Sequence, residues 1–217
     1  SHPVASGRIV RIIGFPEDPQ VVIDMICAEF GIRTEFPAKV LKEADALHVP
    51  DFCDLRDRED LRGLLTVTID DETAHDFDDA VSLETLADGT RRLGVHIADV
   101  SHYVTEDSIL DEEARLRGTS TYFPGTAVQM LPPHLSRDLC SLLPEQDRLA
   151  LTVWMDFDKR GYRIACRTAH SVIRSRARLT YSNVSRFLGD EVAERSAGTA
   201  PPNVTPIEEY SKILGLE

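Results

Sequence analysis

Thr68-Ile69-Asp70-Asp71-Glu72-Thr73-Ala74-His75-Asp76-Phe77-Asp78-Asp79-Ala80 is the stretch on which the reading of this chain turns. The apolar, β-branched run Leu64 to Ile69 before it reads as a strand, with Asp70 at its end. Beyond it, Val81 to Leu86 and Arg92 to Ala98 read as a hairpin turning at Asp88-Gly89. Asp70, Asp76, Asp78 and Asp79 therefore crowd the connection between two predicted strands. Carboxylates this close raise one another's pKa unless a cation sits among them. Hard carboxylate oxygen donors suit magnesium, with manganese an option. Phosphodiester cleavage uses two such ions about 4 Å apart. Two plainer readings compete. One is a solvated acidic turn. The other is an EF-hand, which lacks its glycine and terminal glutamate here. Asp156-Phe157-Asp158 imitates an EF-hand opening better, but Arg167 stands where the bidentate glutamate belongs.

Working outward, Ser108 to Asp111 has capping-box spacing for a helix that Gly118 closes. Leu131-Pro132-Pro133 opens a short helix toward Leu139. Leu149 to Phe157 and Tyr162 to Ile173 form a second long hairpin around Asp158 to Gly161. Ser196 to Pro202 reads as a loop. Thr205 to Glu208 is a further capping box, starting a helix that runs to Glu217. Upstream, Asp51 to Arg62 is a charged linker. Gly7 to Gly14 reads as a strand with Ile9, Ile12 and Ile13. Asp18-Pro19 opens a helix that Gly31 closes, with Val22, Ile23, Ile26 and Phe30 as its apolar set, and a second helix spans Pro37 to Leu47. The expected fold is α+β, an antiparallel-rich sheet with peripheral helices. Residues 1–50 form a small leading unit and residues 51–217 the main domain.

The 217 residues are 42% hydrophobic and 28% charged, a globular balance. Apolar runs are far too short to span a membrane. Cys27, Cys53, Cys140 and Cys166 are scattered with no Cys-x-x-Cys pair, which argues against structural zinc and for a reduced, cytoplasmic protein. A formal net charge of −13 runs against nucleic-acid binding. It is reconciled with it if the acids gather around cations, or if basic RNA-binding parts lie outside this chain.

Taken together, the motifs resemble the ribonuclease II/ribonuclease R family. The Thr68–Asp70 segment followed by Asp76-Phe77-Asp78-Asp79-Ala80 is similar to the signature of its catalytic domain. Leu93 to Val104, Arg117 to Pro124, Met130 to Pro132, Leu139 to Leu142 and Asp147 to Ala150 follow as its further blocks. The likeness is continuous from about Asp54 to Tyr181. It implies that Asp70, Asp76, Asp78 and Asp79 are metal-site carboxylates for Mg2+ (or Mn2+), with Asp78 catalytic, and that Tyr122 stacks on a base near the RNA 3′ end. It implies a 3′-to-5′ exoribonuclease acting on single-stranded RNA 3′ ends and releasing nucleoside 5′-monophosphates. It also implies that residues 1–50 are the tail of a cold-shock, OB-fold-type domain. The remainder of the parent protein would supply an active-site arginine and glutamate. Lacking those, the chain admits another reading, a non-catalytic fragment that binds RNA or a partner. His96 is read as a hydrogen-bonded core histidine rather than a ligand, and Asp99 as an outer carboxylate of the site. Arg163, Arg167, Arg174, Arg176 and Arg178 form a solvated hairpin face or, less favoured, phosphate contacts.

Overall fold

Strand pairing organises the chain. A computed structural model describes residues 7–15, 17–53, 57–189 and 205. Thr205 alone of the Thr205–Glu208 capping box is described, and Asp54 to Arg56 and Ser196 to Pro202 also lie outside the described residues.

Seven strands build one sheet: β1 (Glu59–Leu61), β2 (Thr66–Asp70), β3 (Asp79–Thr85), β4 (Arg91–Ala98), β7 (Asp147–Phe157), β8 (Arg163–Arg174) and β9 (Ala177–Thr180), in the order β1-β8-β7-β4-β3-β2-β9. Between β4 and β7 stand the small hairpin β5 (Thr121–Phe123) and β6 (Thr126–Val128). Both predicted long hairpins are present: β3 pairs antiparallel with β4, and β7 with β8. The sheet as a whole is mixed, so the antiparallel-rich expectation holds only in part: four of its six strand pairings are antiparallel and two are parallel. The edge strands β1 and β9 pair parallel with β8 and β2. Parallel pairing needs a long crossover rather than a turn, so no local turn signal announces it.

The sheet also curls. Only Ser175 and Arg176 separate β8 from β9, three Cα steps of about 3.8 Å each. In a flat sheet of this order those strands would lie five spacings of roughly 4.8 Å apart. The join closes only if the sheet wraps round, and the Arg176 amide bonds the Thr66 carbonyl across it at 2.7 Å.

α1 (Pro19–Glu29) starts where predicted, with Asp18 accepting from the Gln20 amide at 2.9 Å. Its buried residues are Val21 and Cys27, whereas Val22 and Phe30 of the predicted apolar set are exposed. Residues 7–15 form no strand, and Ile9, Val10 and Ile12 are exposed. Their β propensity finds no neighbouring strand among the described residues, and a strand is defined by its ladder partners. α2 (Ala38–Asp45) puts Val40 and Ala44 into the main core, beside Phe77, Leu110, Leu135 and Ile173.

α3 (Val100–Tyr103) is a single turn. α4 (Ile109–Arg117) is capped by Ser108 and ended by Gly118 at φ 74°, a left-handed conformation that glycine adopts without a Cβ clash. The predicted short helix around Leu135–Leu139 is a π-turn, and the Cys140 amide reaches the Leu135 carbonyl at 2.9 Å. α5 (Tyr181–Phe187) follows β9.

A buried ionic staple ties residues 33–36 to α4. Arg33 donates twice to Glu113, at 3.0 and 2.9 Å, and Arg117 donates to the same carboxylate at 2.9 Å. Arg117 also donates to the carbonyls of Arg33 and Glu35, both at 2.6 Å, and its guanidinium lies 3.6 Å from the centre of the Phe36 ring. Burial alone would push the Glu113 carboxyl up, but the two guanidinium groups hold it below the usual range.

Candidate active site

The aspartates are placed by the residue between them. Phe77 is buried, its amide donates to Ser141 Oγ at 3.1 Å, and its carbonyl accepts from the Leu142 amide at 2.9 Å. Successive side chains of an extended segment point to opposite sides, so anchoring Phe77 in the core turns Asp76 and Asp78 outward. The Asp78 carbonyl then accepts from the Ala98 amide at 2.9 Å, and Asp79 opens β3 opposite Ile97. Asp70 ends β2, opposite Thr180 of β9.

These four carboxylates act on one another. Asp70 is pushed up to about 6, first by burial, with repulsion from Asp79 and Asp78 adding to it, against the pull of the neighbouring Thr68 hydroxyl and of Arg178. Its Oδ2 is buried without a hydrogen-bond partner. Asp78 keeps solvent access yet is hemmed in by protein, and this partial desolvation, with Asp76 and Asp79 beside it, raises its pKa. Asp76 accepts from the Tyr122 hydroxyl at 3.1 Å and from Gln129 Nε2 at 3.4 Å. The β5–β6 hairpin therefore stands against the acidic loop, with the Tyr122 ring largely exposed.

Among the described residues no three His, Cys, Asp or Glu side chains form a ready metal cage. The donor chemistry nonetheless suits magnesium, which keeps several waters and takes only one or two protein carboxylates. The orphaned Asp70 oxygen is a group that a cation would satisfy. Beside the carboxylates lies a cavity of about 330 Å³, floored by Ile97, Ala98, Met130 and Leu131 and edged by Asp76 and Asp78. A larger hollow of about 530 Å³ surrounds Trp154, away from the acidic loop. Its charged walls pair among themselves, Glu59 with Arg167, and Arg92 with Asp156 just beyond the lining.

His96 is a core residue. It is fully buried, with Nε2 at 2.9 Å from Ser82 Oγ and Nδ1 at 2.8 Å from Thr152 Oγ1. A Cβ on Gly94 would collide with Ser82, His96 and Trp154, so only glycine leaves room for the imidazole. Burial lowers His96 to about 4. The folded state thus holds a neutral ring that the unfolded chain protonates near pH 6.5. Stability is complete above that value and falls as pH drops toward about 4. Between about pH 7 and about pH 5 this group should cost roughly 2 kcal/mol of stability. Urea midpoints for wild type and His96→Gln at both pH values measure it. An equally steep pH dependence in the variant contradicts it.

Asp99 serves a different node from the one expected. It is buried and bonds Arg58 Nη2 at 2.7 Å, Ser101 Oγ at 2.7 Å and His170 Nδ1 at 3.3 Å, with no hydrogen bond to the acidic loop. Burial pushes its carboxyl up, but Ser101 and Arg58 hold it below the usual range.

The arginine run divides. Arg167 pairs with Glu59, Arg174 with Asp147 and Arg176 with Glu145. Arg178 departs from the solvated-face reading. It is buried, and its Nη2 donates to the carbonyls of Asp71, Glu72 and Ala74 at 3.1, 2.9 and 3.2 Å. Sequence reading also missed Gln129 and Ser141. Their contacts to the loop span 53 and 64 residues, beyond any local spacing signal.

Known proteins resemble the chain along nearly all of its length. Residues 58–215 match the RNB domain family and residues 1–37 the cold shock domain family. The chain is 44% identical to ribonuclease R of Aquifex aeolicus over 213 residues, 97% of this chain and 30% of that one. It is 51% identical to ribonuclease R of Chlamydia muridarum over 209 residues, 95% and 29% respectively. Mycoplasma genitalium RNase R in complex with ribose-methylated single-stranded RNA superposes with a TM-score of 0.77 at 32% identity, over 93% of this chain and 31% of that one. The chain thus spans about 30% of the length of the curated relatives it matches.

Proposed function

From a chain that belongs to the ribonuclease II/ribonuclease R family, we propose the front part of the catalytic domain of a metal-dependent exoribonuclease. The parent enzyme hydrolyses single-stranded RNA from the 3′ end to nucleoside 5′-monophosphates. The observation that carries this reading is the acidic loop itself: mutually repelling aspartates, one with a buried unpartnered oxygen, beside an exposed tyrosine.

Asp70, Asp76, Asp78 and Asp79 would hold magnesium or manganese, which supplies an activated water and charge neutralisation at the scissile phosphate. The chain's own residues do the positioning. Phe77 fixes the loop. Tyr122, oriented through Asp76, offers its ring to a base near the 3′ end, where stacking tolerates any sequence. The apolar floor of the adjoining cavity sets the terminal nucleotide against the carboxylates. RNA affinity comes from basic parts in the remainder of the parent, since this chain carries a net charge of −13.

No helix among the described residues is long and apolar enough to cross a membrane, and all four cysteines are free thiols. We place the parent in the cytoplasm. The second reading, a non-catalytic RNA- or partner-binding piece, draws on the lack of a ready metal cage among the described residues.

The test uses the full-length protein and 5′-labelled single-stranded RNA. Stepwise shortening from the 3′ end, abolished by chelation and restored by magnesium, is the expected result. Tyr122→Ala should weaken binding of short RNAs by the ~1–3 kcal/mol of one stacked base and lengthen the released end product, with a milder loss of the chemical step. Internal cleavage products, or undiminished cleavage in chelator, would overturn the proposal.

A further inference from the structure

Arg178 lies on β9, opposite Thr68 and two register pairs from Asp70 on β2. The residue is 4% exposed and turns away from the solvated face that its neighbours in the run occupy. One nitrogen, Nη2, is shared by three loop carbonyls, those of Asp71, Glu72 and Ala74, while Nε is buried without a partner. The guanidinium carbon stands 4.9 Å from the centre of the Phe77 ring. The same cation therefore touches the start of the acidic connection through its backbone and the middle of it through Phe77.

These contacts make a clamp. Loop carbonyls turned inward need donors, because a buried unpaired carbonyl is costly. One guanidinium nitrogen reaches three of them, its two N–H bonds shared among the three acceptors, and places a permanent positive charge among groups that otherwise repel one another. Residues 71–75 contribute no regular strand or helix; Asp71 Oδ1 accepts from the Thr73 amide and hydroxyl at 2.9 and 2.6 Å and the Asp71 carbonyl from the Ala74 amide at 3.1 Å, local bonds that shape a turn without tying it to the sheet. Phe77 is held from the other side by Ser141 and Leu142. The connection is thus gripped at two points, and the aspartates hang between and beyond them.

We propose that Arg178 is a positioning residue of the active site, which sets the path of the 71–77 loop and thereby the spacing of the carboxylates that receive the divalent cation. The inference rests on reading Asp70, Asp76, Asp78 and Asp79 as the metal site. It concerns the loop rather than the chemistry, and Arg178 itself touches neither metal nor substrate.

The experiment compares wild-type full-length protein with Arg178→Met and Arg178→Lys. Hydrogen exchange is followed at the amides of 71–77, with those of β4 and β7 as an internal reference. Mn2+ binding is followed by electron paramagnetic resonance without RNA. The Met variant should exchange roughly tenfold faster across 71–77 with the reference strands unchanged. It should also need several-fold more Mn2+ for half-saturation. Lys, which keeps a charge and donors for the carbonyls, should recover part of both. If the Met variant does not fold, the Lys variant carries the comparison, with smaller changes of the same sign. Unchanged exchange at 71–77, or loss of protection spread equally over β4 and β7, overturns the proposal. Absence of Mn2+ binding in wild type instead defeats the metal-site reading, and the exchange data still decide the role of Arg178 in the loop.

Discussion

In the full-length protein, Asp78→Asn is expected to slow single-turnover RNA cleavage by on the order of 10²–10³-fold, the several kcal/mol that cation-borne charge stabilisation contributes. The substitution keeps the size of the side chain and one acceptor oxygen. It removes a negative charge from a group that already resists ionisation because of partial desolvation and the neighbouring Asp76 and Asp79. RNA affinity at fixed salt should stay level or rise slightly, because one repulsive charge is lost and the phosphate contacts lie elsewhere. A binding titration beside the single-turnover assay separates the two quantities. Cleavage near the wild-type rate would remove Asp78 from the catalytic assignment. A parallel fall in affinity would point to a damaged loop instead.

The largest stability effect is expected at Glu113. Its carboxylate is the shared partner of Arg33 and Arg117, and the side chains of Glu113 and Arg117 are 5% and 3% exposed. Glu113→Ala leaves Arg117 as a buried cation without its counter-ion, for which roughly 3–5 kcal/mol of destabilisation is the ordinary cost. The remaining carbonyl acceptors of Arg117 keep the loss from being larger. Glu113→Gln, which retains acceptor geometry without charge, should fall between wild type and the alanine variant. Urea unfolding of all three gives the order. A loss below about 1 kcal/mol for the alanine variant would mean that water reaches Arg117 in solution.

Both effects sit on elements of different legibility. The acidic stretch and its place behind a strand were readable, because Asp70 follows a β-branched run and carboxylate clustering is a property of adjacent residues. What holds the stretch in place was not. Ser141, Gln129 and Arg178 reach it from 64, 53 and more than a hundred residues away. Arg178 in particular belongs to a basic run whose members look alike in sequence, yet it is buried while Arg163 and Arg176 are exposed. Asp99 was readable as a strand-end carboxylate, but its partners Arg58 and His170 come from distant segments that no spacing links to it.

By itself the sequence determined the family, the acidic signature, the α4 caps at Ser108 and Gly118, and the two long hairpins, one turning at Asp88-Gly89 and the other between Asp158 and Gly161. Each depends on interactions within a few residues: a cap's hydrogen bond, a left-handed glycine, a tight turn. Only the tertiary structure decided that β1 and β9 pair parallel at the edges, that the sheet curls to bring the link after β8 against β2, and that residues 7–15 stay out of any strand. It alone set Tyr122 against Asp76 and Arg178 beneath the loop. Pairing and burial depend on which surfaces meet after the chain has crossed over itself. The β-branched run at Ile9–Ile13 shows the consequence, since a strand propensity is realised only where another strand offers its hydrogen bonds.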